Sequence, residues 1–348
     1  MSKLSSLVAR IGYRLDDRLD LLREQLRRRL GYTYSPLQIV PYRTYGTASS
    51  FFLAGRVLEN RARSEPPDDD ELWDNLLAMY RRFASREVKG VRLRAAYAGS
   101  EAHAASDAEG YFQMDLHLPA PLVEEAGWIT VDMTAENAAD FGQELVQTQA
   151  EVLIPPAQAR FGVISDIDDT VVVTHATNLL KMARMVFLHS ARTRLPFPGV
   201  AAFYQALHRG RTGDERNPLF FVSSSAWNLY DLLVDFMALN DIPPAPLLLT
   251  DYGANESGFL FSGHRTHKLE QIGRILSTYP TLPFILIGDS GQKDPEIYHQ
   301  VAQDHPGRIL AIYIRDVSQP SRHAEIEHIR NALGAGAKPV EMLLEADT

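Results

Sequence analysis

Five short apolar runs in the second half of the chain most constrain its fold. Phe161-Gly162-Val163-Ile164-Ser165 ends in acids, and Leu219-Phe220-Phe221-Val222 ends in Ser223-Ser224-Ser225. Leu247-Leu248-Leu249 ends in Thr250-Asp251, and Pro283-Phe284-Ile285-Leu286-Ile287 ends in Gly288-Asp289. Ile309–Ile314 ends in Arg315-Asp316. Helical patterns separate the runs. Continuous apolar strands alternating with helices predict a doubly wound parallel sheet covered on both faces. Every run hands over to polar residues at its C-terminal end, the edge where open α/β sheets hold their ligands.

The chain has 348 residues, enough for two domains. Leu4, Val8, Ile11, Leu15, Leu19, Leu22, Leu26 and Leu30 recur at steps of three and four, so residues 1–31 read as an amphipathic helix stopped at Gly31. Arg23, Arg27, Arg28 and Arg29 suit the negative end of its dipole. Such a helix packs on the body or in a dimer, or it lies on an anionic membrane. Asp16, Asp17, Asp20 and Glu24 dilute the membrane reading.

Residues 32–155 have a β texture. Thr47–Val57, Val91–Ala98, Tyr111–Leu118 and Trp128–Met133 are strand-like, while Leu72–Phe83 has helical spacing. Short alternating strands with turns predict an antiparallel β-sandwich. Ser106-Asp107-Ala108-Glu109-Gly110-Tyr111-Phe112 resembles the hairpin of transthyretin-like sandwich modules. The α/β domain is expected over 156–335, with 336–348 as a tail.

Composition excludes some chemistry. With no cysteines, no thiolate nucleophile, disulfide or Cys-ligated zinc can form. A net charge of −9 argues against a general nucleic-acid binder, which presents a basic face. The N-terminus lacks the apolar core of a signal peptide, and no run has the ~18 apolar residues of a membrane span. A cytoplasmic protein with peripheral membrane contact is the expectation; nothing in the sequence fixes an oligomeric state.

The polar strand ends form one constellation. Asp166 and Asp168 follow the first run, Ser223 the second, and Asp289 and Asp294 a later one; Lys268 opens the helical pattern Lys268–Leu276. These residue types suit phosphoryl transfer, where a site must neutralise the phosphate oxygens and hold a nucleophile in line. Asp166 can attack phosphorus and form an acyl phosphate. Asp168 can protonate the leaving alkoxide and then activate water. Magnesium suits the hard oxygens of Asp166, the Asp168 carbonyl, Asp289 and Asp294. Ser223 can hydrogen-bond the phosphoryl group, and Lys268 can neutralise it. Asp169 reads as structural, Thr170 as a support for the loop, and Trp227 and Tyr230 as core.

Asp166-Ile167-Asp168-Asp169-Thr170 matches the D-x-D-x-T signature of the haloacid-dehalogenase superfamily, and Gly288–Asp294 resembles its fourth motif. Ser223 and Lys268 fall in order as its second and third. The acid at Asp168 resembles the phosphatase branches. The segments Ser165–Thr170, Phe221–Tyr230 and Ile287–Tyr298, with Pro198-Gly199-Val200 and Phe203-Tyr204, resemble the catalytic domain of the actin-patch phosphatidate phosphatases. Ser224 and Ala226 stand where the fungal pattern has Asn and Pro. The resemblance covers residues 155–320. It implies magnesium-dependent removal of phosphate from phosphatidate, leaving diacylglycerol, with a lipid phosphate as the partner. The apolar insert Asn178–Ser190 would suit acyl chains, and an insert of only ~30 residues leaves the site open to bulky substrates. A phosphoprotein or nucleic-acid end on the same chemistry, or an inactive scaffold on the same fold, are the alternatives.

Overall fold

Alternation of buried and half-buried residues along Ser50–Glu59 marks a strand with one face in a core. The structure, a computed structural model, describes residues 35–59, 86–122, 127–167, 199–250, 263–317, 322–335 and 338–346. The expected N-terminal helix, the helical stretch Leu72–Phe83 and the insert Asn178–Ser190 lie outside these residues.

The first nine strands form two sheets. Strands β1 (Leu37–Pro41), β2 (Thr44–Tyr45), β3 (Ser50–Glu59), β4 (Arg86–Glu87) and β5 (Arg92–Tyr97) are followed by β6 (Ser100–Ala105), β7 (Tyr111–His117), β8 (Gly127–Ala135) and β9 (Gln147–Ile154). One sheet pairs β3 with β1, β4 and β7, all antiparallel. The other runs β2-β9-β8-β5-β6. Phe51, Leu53 and Leu116 of the first sheet and Leu93, Val131 and Val152 of the second share one core. This is the sandwich expected from the alternation. One detail differs. The turn at Ser106–Gly110 does not close a hairpin within one sheet, because β6 and β7 belong to different sheets. Asp107 still organises the turn, its Oδ1 accepting from the N–H groups of Glu109 and Tyr111.

The five apolar runs and one later strand form a six-stranded, wholly parallel sheet. Its strands are β10 (Gly162–Ser165), β11 (Leu219–Ala226), β12 (Leu247–Thr250), β13 (Phe284–Asp289), β14 (Ile309–Asp316) and β15 (Glu341–Ala346). Their order is β12-β11-β10-β13-β14-β15. The helices are α1 (Val200–Arg209), α2 (Tyr230–Leu239), α3 (Gly263–Thr278), α4 (Asp294–Asp304) and α5 (His323–Gly334). Successive strand residues face opposite ways. Ile164, Phe220 and Leu286 pack with Ile272 and Ile275 of α3, Ile297 of α4 and Ile326 of α5. Val163, Phe221 and Ile287 pack with Tyr204 of α1 and Leu233 of α2. Both faces are covered, so β10 and β13 are buried throughout. The chain winds outward from β10 to β12, then returns to start the other half at β13. That reversal leaves a crevice at the C-terminal ends of β10 and β13.

The 336–348 stretch is not merely a tail. Glu341–Ala346 pairs in parallel with Ala311–Asp316 as an edge strand. Two of its six residues, Glu341 and Glu345, are charged, which an edge strand tolerates better than a strand buried on both faces.

The two parts share a seam. Tyr42 stacks on Trp227 at 4.0 Å between ring centroids, and the Tyr230 hydroxyl accepts from the Arg43 N–H at 2.6 Å. Tyr45 enters the α/β core against Phe220, and the Tyr279 hydroxyl donates to the Gly46 carbonyl at 2.9 Å. Trp227 and Tyr230 are therefore seam and core residues. Removing the Tyr42 ring costs about 3 kcal/mol, by analogy with other buried aromatic truncations. Calorimetry of Tyr42→Ala should show both parts unfolding together at a lower temperature. A separate, unchanged transition for either part would contradict this coupling.

Candidate active site

Asp166 leaves the sheet at the end of β10. Its N–H makes a last ladder bond to the Ile287 carbonyl at 2.9 Å, and the residue is 1% exposed. Lys268, on the second turn of α3, brings its Nζ to 3.0 Å from Asp166 Oδ1 and 2.6 Å from Asp294 Oδ1. Asp294 opens α4, and its Oδ2 accepts from the Asp289 N–H at 3.2 Å. Asp289 ends β13, and its Oδ1 accepts from the Gln292 N–H at 2.9 Å. The strand ends at Asp166 and Asp289, far apart in sequence, thus meet at the point where the strand order reverses.

The tight turn after β13 needs a glycine. A Cβ on Gly288 would collide with the Asp294 carboxylate and its Cβ. No other residue lets Asp294 fold back under Asp289.

Ser223 ends the apolar part of β11, buried, with its Oγ accepting from the Ser225 N–H at 2.9 Å. That bond ties the side chain to the end of its own strand. Ser223 lies on the strand next to β10. Asp168, Asp169 and Thr170 lie outside the described residues. Lys293, between the two acids of its loop, is exposed.

Burial shapes the electrostatics. Burial alone would lower the Lys268 ammonium, but the Asp166 and Asp294 carboxylates beside it outweigh that, and its pKa ends well above the ordinary lysine value. Lys268 is therefore a fixed positive charge. Burial, aided by the Asp294 charge, raises the Asp289 carboxyl to about 7.

A divalent cation fits this donor set. Asp166, Asp289 and Asp294 are all buried, and one carboxylate oxygen from each lies within 4.8 Å of the others. Three carboxylates face one ammonium, so the cluster carries an excess of negative charge. Asp289 Oδ2 is buried without a hydrogen-bond partner, a costly state unless something else meets it. Both Asp294 oxygens are already engaged, one by Lys268 and one by the Asp289 N–H.

Sequence reasoning placed two tyrosines, both buried near Asp166, in family-like segments but gave them no role. Tyr298 of α4 donates to the Ile287 carbonyl at 2.8 Å, the same oxygen that receives the Asp166 N–H. Tyr204 of α1 meets Ser165 Oγ at 2.5 Å. No periodicity signals these contacts; the family-like segments that contain both tyrosines, and the place of Ser165 directly before Asp166, are the signals that could have found them.

Residues 161–316 match the family described as "Phosphatidate phosphatase APP1, catalytic domain". Through this segment, the chain is similar to the APP1 catalytic-domain family. The match begins one residue before β10 and ends with β14, so it contains the Asp166–Lys268–Asp289–Asp294 cluster. Phosphatidate phosphatase APP1 of Saccharomyces cerevisiae is 33% identical over 221 residues, which is 62% of this chain and 36% of the yeast protein. An uncharacterized protein of Schizosaccharomyces pombe is 26% identical over 223 residues, 63% of this chain and 35% of its own. The chain thus spans about a third of the length of these relatives. Among solved structures, Parabacteroides merdae beta-glucuronidase aligns with 87% of this chain and 38% of its own at 10% identity and a TM-score of 0.23, too low to carry an argument. Among the described residues, no helix is long and apolar enough to cross a membrane.

Proposed function

We propose that this chain is a magnesium-dependent phosphatase of the haloacid-dehalogenase type that converts phosphatidate to diacylglycerol through an aspartyl-phosphate. The observation that carries the proposal is the buried Asp166–Lys268 pair beside Asp289 and Asp294, within a segment similar to the APP1 catalytic-domain family.

Asp166 attacks phosphorus through a carboxylate oxygen, and the bond from phosphorus to the ester oxygen breaks. Asp168, placed two residues on by the sequence, gives its proton to the leaving alkoxide. Water then attacks the phospho-Asp166, Asp168 takes a proton from it, and phosphate departs. Ser223 and Lys268 hold the phosphoryl oxygens, and Lys268 also fixes the Asp166 carboxylate. Asp166, Asp289 and the Asp168 carbonyl would hold the cation, with Asp294 organising them from behind. When bound, magnesium neutralises phosphoryl charge.

The apolar sequence of Asn178–Ser190 supports a lipid substrate, and the arginines at positions 23, 27, 28 and 29 support membrane contact. Phosphate release from phosphatidate in mixed micelles, with and without magnesium, tests the assignment against soluble esters, phosphopeptides and end-phosphorylated oligonucleotides. Liposome flotation tests membrane contact. Efficient turnover of soluble or macromolecular phosphates with none of phosphatidate would sink the lipid assignment.

The Asp289 carboxyl also predicts an unusual pH response. Its folded value of about 7 lies above the ordinary 3.8. Between those values the folded state keeps a proton that the unfolded state releases, so this group's contribution to stability falls as pH rises from about 4 to 7. Melting of metal-free protein across that window should show the decline, and Asp289→Asn should flatten it. Added magnesium should stabilise the wild type more at pH 7.5 than at pH 5.5, because the cation needs the ionised carboxylate. An equal magnesium effect at both pH values would count against Asp289 as a ligand.

A further inference from the structure

The peptide of Asp166 is held from two sides. Its N–H belongs to the sheet, bonded to the Ile287 carbonyl, which Tyr298 also secures. Its carbonyl comes after the last ladder pairs of β10, Ser165 with Phe221 and Ser165 with Ile287. Ser165 Oγ donates to that carbonyl at 2.8 Å. A serine hydroxyl has one hydrogen, so the 2.5 Å contact between Ser165 Oγ and the Tyr204 hydroxyl must have Tyr204 as donor. The bonds therefore run in one direction, from Tyr204 O–H to Ser165 Oγ and from Ser165 O–H to the Asp166 carbonyl. Tyr204 is 1% exposed, and its ring is wedged edge-on against Phe221 at 5.5 Å and Phe203 at 5.8 Å. Burial raises its pKa well above the ordinary tyrosine value, so it remains a donor.

We propose that Tyr204 is a positioning residue that acts through Ser165 to fix the Asp166 peptide, and with it the direction of the nucleophilic carboxylate. The peptide between Asp166 and Ile167 is where the chain leaves the sheet. Rotation about that junction swings the Asp166 side chain against Lys268. A carboxylate that must attack in line loses rate steeply with small misplacements, while substrate affinity is set elsewhere. Tyr204 sits on α1, between the first and second motif strands, so it ties that helix to the nucleophile.

This inference rests on the proposed phosphatase reading, and its test separates the two. Tyr204→Phe removes only the hydroxyl and keeps the ring packing. With a soluble phosphate ester, Tyr204→Phe and Ser165→Ala should each lower kcat about tenfold with KM unchanged. The double variant should be no worse than either single one, because both break the same relay. Hydrogen exchange on metal-free protein should show faster exchange in the peptide containing Asp166 in both variants, while the Asp289 peptide stays as in the wild type. A purely structural role would instead spread exchange over the whole domain, lower the melting temperature in step with activity, and give additive losses in the double variant. Any of those results, or a wild-type kcat in Tyr204→Phe, overturns the proposal. A wild type with no phosphatase activity would overturn the phosphatase reading, while the exchange measurement would still decide whether Tyr204 holds the Asp166 peptide.

Discussion

Asp166→Asn should leave a folded protein that no longer releases phosphate, with turnover down at least about 10⁴-fold. The amide keeps the volume of the carboxylate and can still accept a hydrogen bond from Lys268. Lys268 keeps its 2.6 Å contact with Asp294 Oδ1, so its buried charge remains compensated. The seam at Tyr42 and Trp227 and the strand order do not depend on the Asp166 charge. What the amide lacks is nucleophilicity and the charge that forms the acyl phosphate. Phosphate release with and without magnesium, together with a melting curve, checks both halves of this expectation. A variant that turned over at the wild-type rate would remove the covalent mechanism. One that lost activity only by unfolding would not test it, so Asp166→Glu serves as a second probe. Its carboxylate is displaced by one methylene, and it should also be inactive while still binding magnesium.

Lys268→Met should have the largest effect on stability. The ammonium is 2% exposed and sits between two buried carboxylates. Removing it leaves Asp166 and Asp294 facing each other and Asp289 without a balancing charge. Breaking a buried pair in this way costs about 3–5 kcal/mol. The methionine fills most of the volume, so the loss is chiefly electrostatic. A divalent cation can replace part of the missing positive charge. Magnesium should therefore raise the melting temperature of Lys268→Met by more than it raises that of the wild type, without restoring turnover. Equal magnesium effects on both proteins would mean that the acids do not share one electrostatic site. A stable, active Lys268→Met would remove Lys268 from the mechanism.

Several parts of this molecule were legible because they depend on local pattern. The runs at Gly162–Ser165 and Phe284–Asp289 are buried on both faces, so apolar residues fill them without alternation. Strand β3 alternates because only one of its faces enters the sandwich core. The acids at 166, 289 and 294 and the lysine at 268 stand out because they sit at strand ends or on a helix's early turns. Other features depend on partners far along the chain. Ser165 meets Tyr204 across 39 residues, and Arg43 meets Tyr230 across 187. The turn at Ser106–Gly110 is encoded by Asp107 and Gly110, but which sheet receives the next strand is decided by core packing. Edge strand β15 escapes notice because glutamates bracket its short apolar stretch.

The sequence by itself determined that a parallel α/β unit follows a β-rich unit, and that acids crowd the ends of its strands. Strand composition and turn chemistry act over a few residues, and so leave a readable pattern. Only the tertiary structure decided that β10 and β13 lie side by side, that Asp294 folds back over Gly288 to hold Lys268, and that the Asp166 peptide is secured by Ser165 and Tyr204. Each of those contacts joins residues that no local propensity relates. They form because burying the sheet on both faces leaves polar groups at its C-terminal edge with only one another to satisfy them.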